Sequence, residues 1–502
     1  MNGKGRRIAA LALSLAIFVI IELVLRIAGV LPPDRPVRHL FSPPAPVFHK
    51  SGNEYVVRDE VSMYFPAVSF SAQKSPGSKR IFIAGGSSAM GFPLDSIYGP
   101  RQLLAAVLKN IDKENSYEII NAAGYAYASY EVVEVVEEVL DYHPDAIIVM
   151  TGHNDFLEKR FPTVTTEGGW LKKRVSGLRL YRLLEGMVMM AKGEFGQEKW
   201  MPHKVTDEER ELVRLDYRKN LQKIVSLCKE AGVPLVMASC PSNLKDFRPF
   251  GPSAVSIPAQ ENVDRMFREG NLGKAKKELD NLSEEHGRDA WISYEAAQVL
   301  WKQAGVLEYY VKIGDVESSQ EVALQIKNLR TAAAGLFVEA RDIDPWPVRA
   351  STSMVEVTRE ETGGNGVPIA DIEAFLREKS FYRLTTDATF FDHCHMKPEG
   401  QETLARLLLE RLADAGLLPP AGQWQEGPEK IWSGYRKTIP DRAWAEGYFM
   451  IANETGINMG RVRRGLSYME TARKLYPGHP ELDRLEDTLR PLAKQVPALT
   501  GD

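Results

Sequence analysis

Ser87 lies in the stretch Arg80-Ile-Phe-Ile-Ala-Gly-Gly-Ser-Ser-Ala-Met-Gly-Phe-Pro93, where its hydroxyl becomes a nucleophile if a base reaches it. The run from Arg80 to Ala84 is apolar and stops at a glycine pair, which reads as a buried strand with Ser87 at its carboxyl end. Open α/β sheets place their ligands at that edge. Two adjacent glycines let the backbone approach a bound group closely, because no Cβ intervenes. No Lys-Ser/Thr follows them and no G-x-G-x-x-G spacing is present, so phosphate-loop readings fail. A plain strand-to-helix turn is the duller alternative. Three further segments carry reactive or polar side chains: Asn121-Ala-Ala-Gly-Tyr-Ala-Tyr-Ala-Ser129, Gly152-His153-Asn154-Asp155, and Phe391-Asp392-His393-Cys394-His395-Met396-Lys397-Pro398.

Those segments are useful only if a scaffold brings them together. Tyr117 to Asn121, Ala146 to Met150, Pro234 to Ala238 and Val367 to Ala370 read as further strands. Between them, Leu103, Leu104, Val107, Leu108 and Ile111 recur at helical spacing, as do Val132, Val133, Val135, Val136, Val139 and Leu140. Glu209 to Ala231 and Ile372 to Glu378 read as helices. A last sheet-covering helix begins near Pro398, with Leu404, Leu407, Leu408 and Leu412 inward. Strand and helix alternate, which predicts βαβ units and a parallel sheet. All three polar segments then fall on the strand-end edge beside Ser87.

The rest of the chain adds a frame. Lys4, Arg6 and Arg7 precede an apolar run from Ile8 to about Val30, broken by Glu22 and Arg26. That length suits a single-pass anchor over residues 1–30, with the basic flank cytoplasmic and the remainder periplasmic or extracellular; a cleaved signal peptide is the alternative. Glu22 and Arg26, four residues apart, can pair on one helical face. Residues 31–78, with Ser42-Pro43-Pro44-Ala45-Pro46, read as an extended stalk. A sheet domain over 79–256 and 351–418 is interrupted by a helical region, 257–350, and followed by a helical module, 419–502. Ala333, Phe337, Ala340 and Pro345 match the spacing of a tetratricopeptide second helix, and Ala472 and Pro477 repeat the alanine-to-proline part of it. The Met-rich basic stretch Leu178 to Met190 reads as core, lid or membrane-surface helix. With Lys plus Arg at 63 against Asp plus Glu at 67, no nucleic-acid partner is expected. Three separated cysteines give no disulfide framework.

Gly85-Gly86-Ser87 with Gly91, the Gly152-His153-Asn154-Asp155 segment, and Asp392 with His395 together resemble the SGNH, or GDSL-type, hydrolase family. The resemblance covers about residues 79–256 and 365–415. It implies a flavodoxin-like three-layer α/β/α fold, with Ser87 as nucleophile, Asp392 and His395 as acid and base, and Asn154 as an oxyanion donor. A second oxyanion amide would come, with that of Ser87, from Ala126 or from Gly124. The family usually has an acidic residue where Gly86 stands. His395 would take the serine proton, and Asp392 would orient and stabilise the imidazolium.

The residues have duller readings too. Asn154 and Asp155 could serve as turn residues, while His143, His153 and His393 read as structural. A metal cluster at Asp392-His393-Cys394-His395 is set aside, because adjacent side chains diverge and no partner Cys/His pair is evident; no metal or cofactor is expected. The leading expectation is a membrane-anchored serine esterase acting on O-acyl, chiefly acetyl, groups of an envelope glycan or lipid. An O-acyltransferase modifying an exported polysaccharide is a variant. A vestigial scaffold that binds a protein partner through its helical repeats is a separate class.

Overall fold

The computed structural model describes residues 3–30, 46–158, 178–192, 203–424 and 426–495 of the chain. The chain forms two compact units, Met1–Ala45 with Asp155–Asp216, and Pro46–Asn154 with Tyr217–Asp502.

The larger unit is built on a five-stranded sheet of β4 (Ser78–Gly85), β5 (Ser116–Ala123), β6 (Ala146–Met150), β7 (Leu235–Ala238) and β8 (Ile369–Ala370). The strand order is β5-β4-β6-β7-β8 and every pairing is parallel. In order of occurrence this is 2-1-3-4-5, the flavodoxin-type doubly wound order. The strands are buried apolar runs, as a parallel sheet covered on both faces requires. Register sets the site, since Gly85 lies level with both Ala123 and Met150. The loops after β4, β5 and β6 therefore leave the sheet at one height. Flanking helices include Pro100–Ile111, Ser129–Leu140 and Pro398–Asp414. In the last of these Leu404, Leu408, Leu409 and Leu412 are buried, whereas Leu407 is only half-buried.

The stalk expectation fails over the described part of 31–78. Strands β1 (Phe48–Ser51), β2 (Glu54–Val57) and β3 (Ser69–Ser71) form an antiparallel sheet. Its aromatic residues supply the reason. Phe48, Phe70, Phe82 and Tyr142 meet at centroid distances of 5.0–6.2 Å, burying rings that a solvated stalk would expose. Buried Arg80 donates to Glu118 (2.6 Å), Tyr142 O (2.9 Å) and Ser71 O (2.6 Å), fastening this sheet to the larger one. Residues 31–45, with most of the proline run, lie outside the described residues.

Helices Ile257–Arg268, Leu272–His286, Ala290–Ile313 and Gln320–Asp342 follow β7. Ala333, Phe337 and Ala340 are buried with Tyr294 and Ala297 in one cluster, so these residues serve as the packing face between two long helices. After Pro398–Asp414 come Pro428–Thr438, Asp441–Asn453, Val462–Leu475 and Leu482–Gln495. In that C-terminal module a Cβ on Gly465 would stand 2.6 Å from Gly456 Cα, so two backbones touch there.

The smaller unit contains the helix Gly3–Ile27 and the helix Arg179–Lys192. Buried Glu22 accepts from Arg26 Nε at 2.7 Å, the expected i, i+4 pair. It also accepts from the Arg179 and Leu180 amides at 3.2 and 3.0 Å. Leu13, Leu15, Ile20, Leu184, Met187 and Val188 are exposed. Among the described residues, no helix is long and apolar enough to cross a membrane.

Candidate active site

Gly85 ends β4 at φ +151°, and a Cβ there would stand 2.0 Å from Met150 O. Only glycine fits, so the chain can turn sharply between β4 and the short helix Ser87–Met90. Asn121, buried at the end of β5, donates from Nδ2 to Met90 O at 2.9 Å and holds the far end of that helix. Ser87 is thereby fixed, nearly buried, at the carboxyl edge of the sheet.

The Phe391–His395 turn reaches the same point from the other end of the chain. Asp392 Oδ1 accepts from the amides of Cys394 and His395, both at 2.9 Å, which shapes the turn. Its Oδ2 is left for His395 Nδ1, at 2.6 Å. The opposite nitrogen, Nε2, lies 2.8 Å from Ser87 Oγ. A three-residue spacing works because one carboxylate both builds the turn and orients the ring. Asn243, fully buried after β7, donates from Nδ2 to Asp392 O (3.1 Å) and from its amide to His393 O (2.9 Å). Phe92 packs edge-on against the His395 ring at 4.8 Å.

Asn154 Nδ2 donates to Tyr127 O at 3.0 Å. A Cβ on Gly86 would lie 2.8 Å from that nitrogen, so the missing side chain at 86 is what lets Asn154 come this close to the Ser87 turn. An acidic side chain at 86 would push Asn154 away. The two candidates for the second amide also separate. The Gly124 amide is spent on Gly85 O at 2.9 Å, while the Ala126 amide donates to no acceptor among the described residues. Ala126 sits at φ +60°, a conformation that an alanine adopts at a cost of about 1–2 kcal/mol.

The electrostatics are those of a buried, coupled group. Burial raises the Asp392 carboxyl, but the charges of His395 and His393 and their hydrogen bonds outweigh it and hold the group well below the usual carboxylate range. Burial alone would lower His395; Asp392 and Cys394 reverse this and raise it well above an ordinary imidazole. Cys394 is lowered to about 6 because His393 and His395 overcome its burial. His393 is raised to about 9 against its burial, by Cys394 and Asp392. His153 goes the other way: burial, then the charges of His393 and His395, push it well below the ordinary value. Its Nδ1 accepts from the Ala350 amide at 3.0 Å, so the proton sits on Nε2. Asp155 is fully buried and His143 lies exposed on the surface.

One expectation needs correcting. The donor atoms of Asp392, His393, Cys394 and His395 do not diverge but lie within 4.8 Å of one another, since the turn folds the segment onto itself. Both nitrogens of His395 are nonetheless engaged, one by Asp392 and one by Ser87. Asn121 and Phe92 stand in segments singled out above but had no role assigned to them, and Asn243 was not named. The position of each just after or at the end of a strand or turn was the available signal.

No family model and no curated protein matches the chain. Among solved structures, a lipase/acylhydrolase from Enterococcus faecalis is similar at 12% identity and TM-score 0.32, over 68% of this chain and 98% of that one. A GDSL-like lipase from Bacteroides thetaiotaomicron is similar at 9% identity and TM-score 0.27, over 67% and 89%. An extracellular lipase from Streptomyces rimosus is similar at 11% identity and TM-score 0.27, over 66% and 99%. The α/β class of the chain follows from its own strand order and not from these likenesses.

Proposed function

We propose that the chain is a serine ester hydrolase. The observation that carries this is the continuous relay Ser87 Oγ, His395 Nε2, His395 Nδ1, Asp392 Oδ2, at 2.8 and 2.6 Å. Ser87 gives its proton to His395 as Oγ attacks an ester carbonyl. The oxyanion is received by the Ser87 and Ala126 amides and by Asn154 Nδ2. His395 returns the proton to the leaving alcohol, leaving an acyl-serine. Water, deprotonated by His395, then releases the acid and restores Ser87. Asp392 stays ionised throughout and stabilises the imidazolium.

The substrate class we propose is an O-acyl ester of an envelope glycan or lipid. The basic residues at positions 4, 6 and 7 and the exposed apolar faces of Gly3–Ile27 and Arg179–Lys192 support placing the chain at a lipid surface. The helical region 257–350 is proposed as a repeat-type module for a protein or polymer partner. A fluorophosphonate probe tests the central reading. Wild type should be labelled and Ser87→Ala should not, and a folded wild type that resists labelling would sink it. Release of acetate from an acetylated glycan, set against acetyl transfer to a deacetylated one, decides between water and a sugar hydroxyl as acceptor.

A further inference from the structure

We infer that the strap 343–351, by which the chain returns from the helical region to the sheet domain, holds both halves of the site. Through Ala350 and His153 it fixes the loop that carries Asn154, and through Arg349 it fixes the turn that carries Asp392 and His395. His153 and Arg349 are then positioning residues. The inference rests on the serine-hydrolase reading above.

The strap joins the helices Gln320–Asp342 and Thr352–Asn365, and its ends are tied to each other. Arg341 Nη2 donates to Thr352 Oγ1 at 2.6 Å, and the Thr352 amide donates to Asp342 Oδ1 at 3.0 Å. Within it, buried Asp344 accepts from the amides of Phe250, Gly251 and Trp346 at 2.6–3.1 Å. A segment fastened at its ends and in between can support what rests on it. Arg349 and Ala350 are buried as well, so the guanidinium and the amide they carry need partners inside the protein.

The Ala350 amide finds His153, donating to Nδ1 at 3.0 Å. Burial, with the charges of His393 and His395, keeps that ring neutral, so Nδ1 stays an acceptor. Nε2 is buried with no partner among the described residues, a cost that a leucine at 153 would avoid. Core packing therefore explains this histidine poorly, and acceptance from Ala350 explains it well. The next residue is Asn154, the proposed oxyanion donor. Further back the same loop is held at Thr151, whose carbonyl accepts from Tyr217 Oη at 2.8 Å and Cys240 Sγ at 3.1 Å. His153 supplies the tether beside Asn154.

Arg349 serves the other half. Its Nη1 donates to Asn243 O at 2.8 Å and to Phe247 O at 3.0 Å, bridging two points of the loop after β7. Its Nη2 lies 3.8 Å from Asp344 Oδ2, an opposite charge buried on the same strap. Asn243 in turn holds the carbonyls of Asp392 and His393, and the Phe247 ring packs on the His393 ring at 5.4 Å. The acid–base turn thus rests on a loop that one guanidinium clamps. Arg464 of the C-terminal module adds a second hold, donating to Asp387 Oδ1 at 2.9 Å and to Phe391 O at 3.4 Å.

The test uses the full chain, with p-nitrophenyl acetate for kcat and KM and a fluorophosphonate to time the labelling of Ser87. His153→Leu removes the acceptor. It should lower kcat by about tenfold while leaving KM within about twofold, because a misplaced oxyanion donor weakens only the transition state. His153→Asn puts an oxygen near the place of Nδ1 and should recover most of the loss. In an Asn154→Ala background His153→Leu should cost less than about twofold more, since it acts through Asn154. Arg349→Lys keeps a charge facing Asp344 but loses the planar fork, and should slow labelling by about threefold or more. Wild-type kcat in His153→Leu, or no recovery in His153→Asn, would overturn the inference and leave the hydrolase reading standing, with wild type labelled and Ser87→Ala not. Full additivity with Asn154→Ala, or wild-type labelling of Arg349→Lys, would do the same. So would a lowered melting temperature with unchanged kcat. An unlabelled, inactive wild type would sink the hydrolase reading, and this inference with it.

Discussion

At the scale of single residues, the acid–base chemistry turns on how many negative groups surround His395. Asp392 and Cys394 both raise its pKa, while His393 and Ser87 are the other polar groups at hand. A raised base is protonated, hence idle, until the pH climbs. The kcat/KM profile should therefore have its acid limb above the ordinary imidazole value of about 6.5, with activity still rising toward alkaline pH. Cys394→Ala removes one negative neighbour, so that limb should move to lower pH, as read by kcat/KM from pH 5 to 10. An unmoved limb would mean that the thiol carries no charge in the folded enzyme. The stability sign runs in both directions. The depressed Asp392 contributes stability that is lost as pH falls through its folded value. The raised His395 contributes stability that is fully present below about pH 6.5 and lost as pH rises through its folded value. Asn154→Ala should reduce kcat by about 10²–10³ with little change in melting temperature, since it removes one of the proposed donors to the oxyanion.

At the scale of elements, Gly85 at the end of β4 has the tightest Cβ clearance among the described glycines. Gly85→Ala brings Cβ to 2.0 Å from Met150 O at a positive φ, and backbone cannot yield there. It should cost more than about 4 kcal/mol, seen as loss of soluble protein or a collapse of the urea midpoint. Gly86→Ala is different in kind. The nearest atom is the movable end of Asn154, at 2.8 Å, so the fold should survive while the oxyanion donor is displaced. The expected result is a near-normal melting temperature with kcat reduced to about the level of Asn154→Ala. Equal kcat in Gly86→Ala and wild type would show that Asn154 has no role at the site.

At the scale of the whole chain, the two halves of the relay come from positions 87 and 395, and the sheet closes that distance. The C-terminal module is then packed against the result. Tyr98 donates to Trp432 O (3.4 Å), Trp432 Nε1 to Leu103 O (2.9 Å) and Tyr435 to Ile97 O (2.9 Å). Gly447 sits so near Leu94 that a Cβ would be 2.8 Å from it. Arg464→Ala should loosen this module from the Phe391 turn, lowering both the melting temperature and kcat. A stable variant with normal kcat would show that the turn holds itself.

Much of this was legible in the residues taken in order. Buried strands announce themselves as continuous apolar runs, and β6 lies where the run from Ala146 to Met150 predicts. Helix faces did nearly as well, with Leu409 taking the inward place expected of Leu407, because an apolar stripe recurring every 3.6 residues blurs at its margins. The pairing of Asp392 with His395 came from the family resemblance and not from spacing, and one carboxylate completes the turn that joins them without distant help. Distant contacts were not legible. The antiparallel sheet at 48–71 is held by aromatic partners at 82 and 142, and the choice of Ala126 over Gly124 depends on Gly85 O taking the Gly124 amide. Asn243 reaches Asp392 O across 149 residues, and no periodicity encodes such a meeting. Composition and spacing specify what each segment prefers by itself; which donor is left free, and which carboxylate is left buried, is decided only when the segments compete for the same partners.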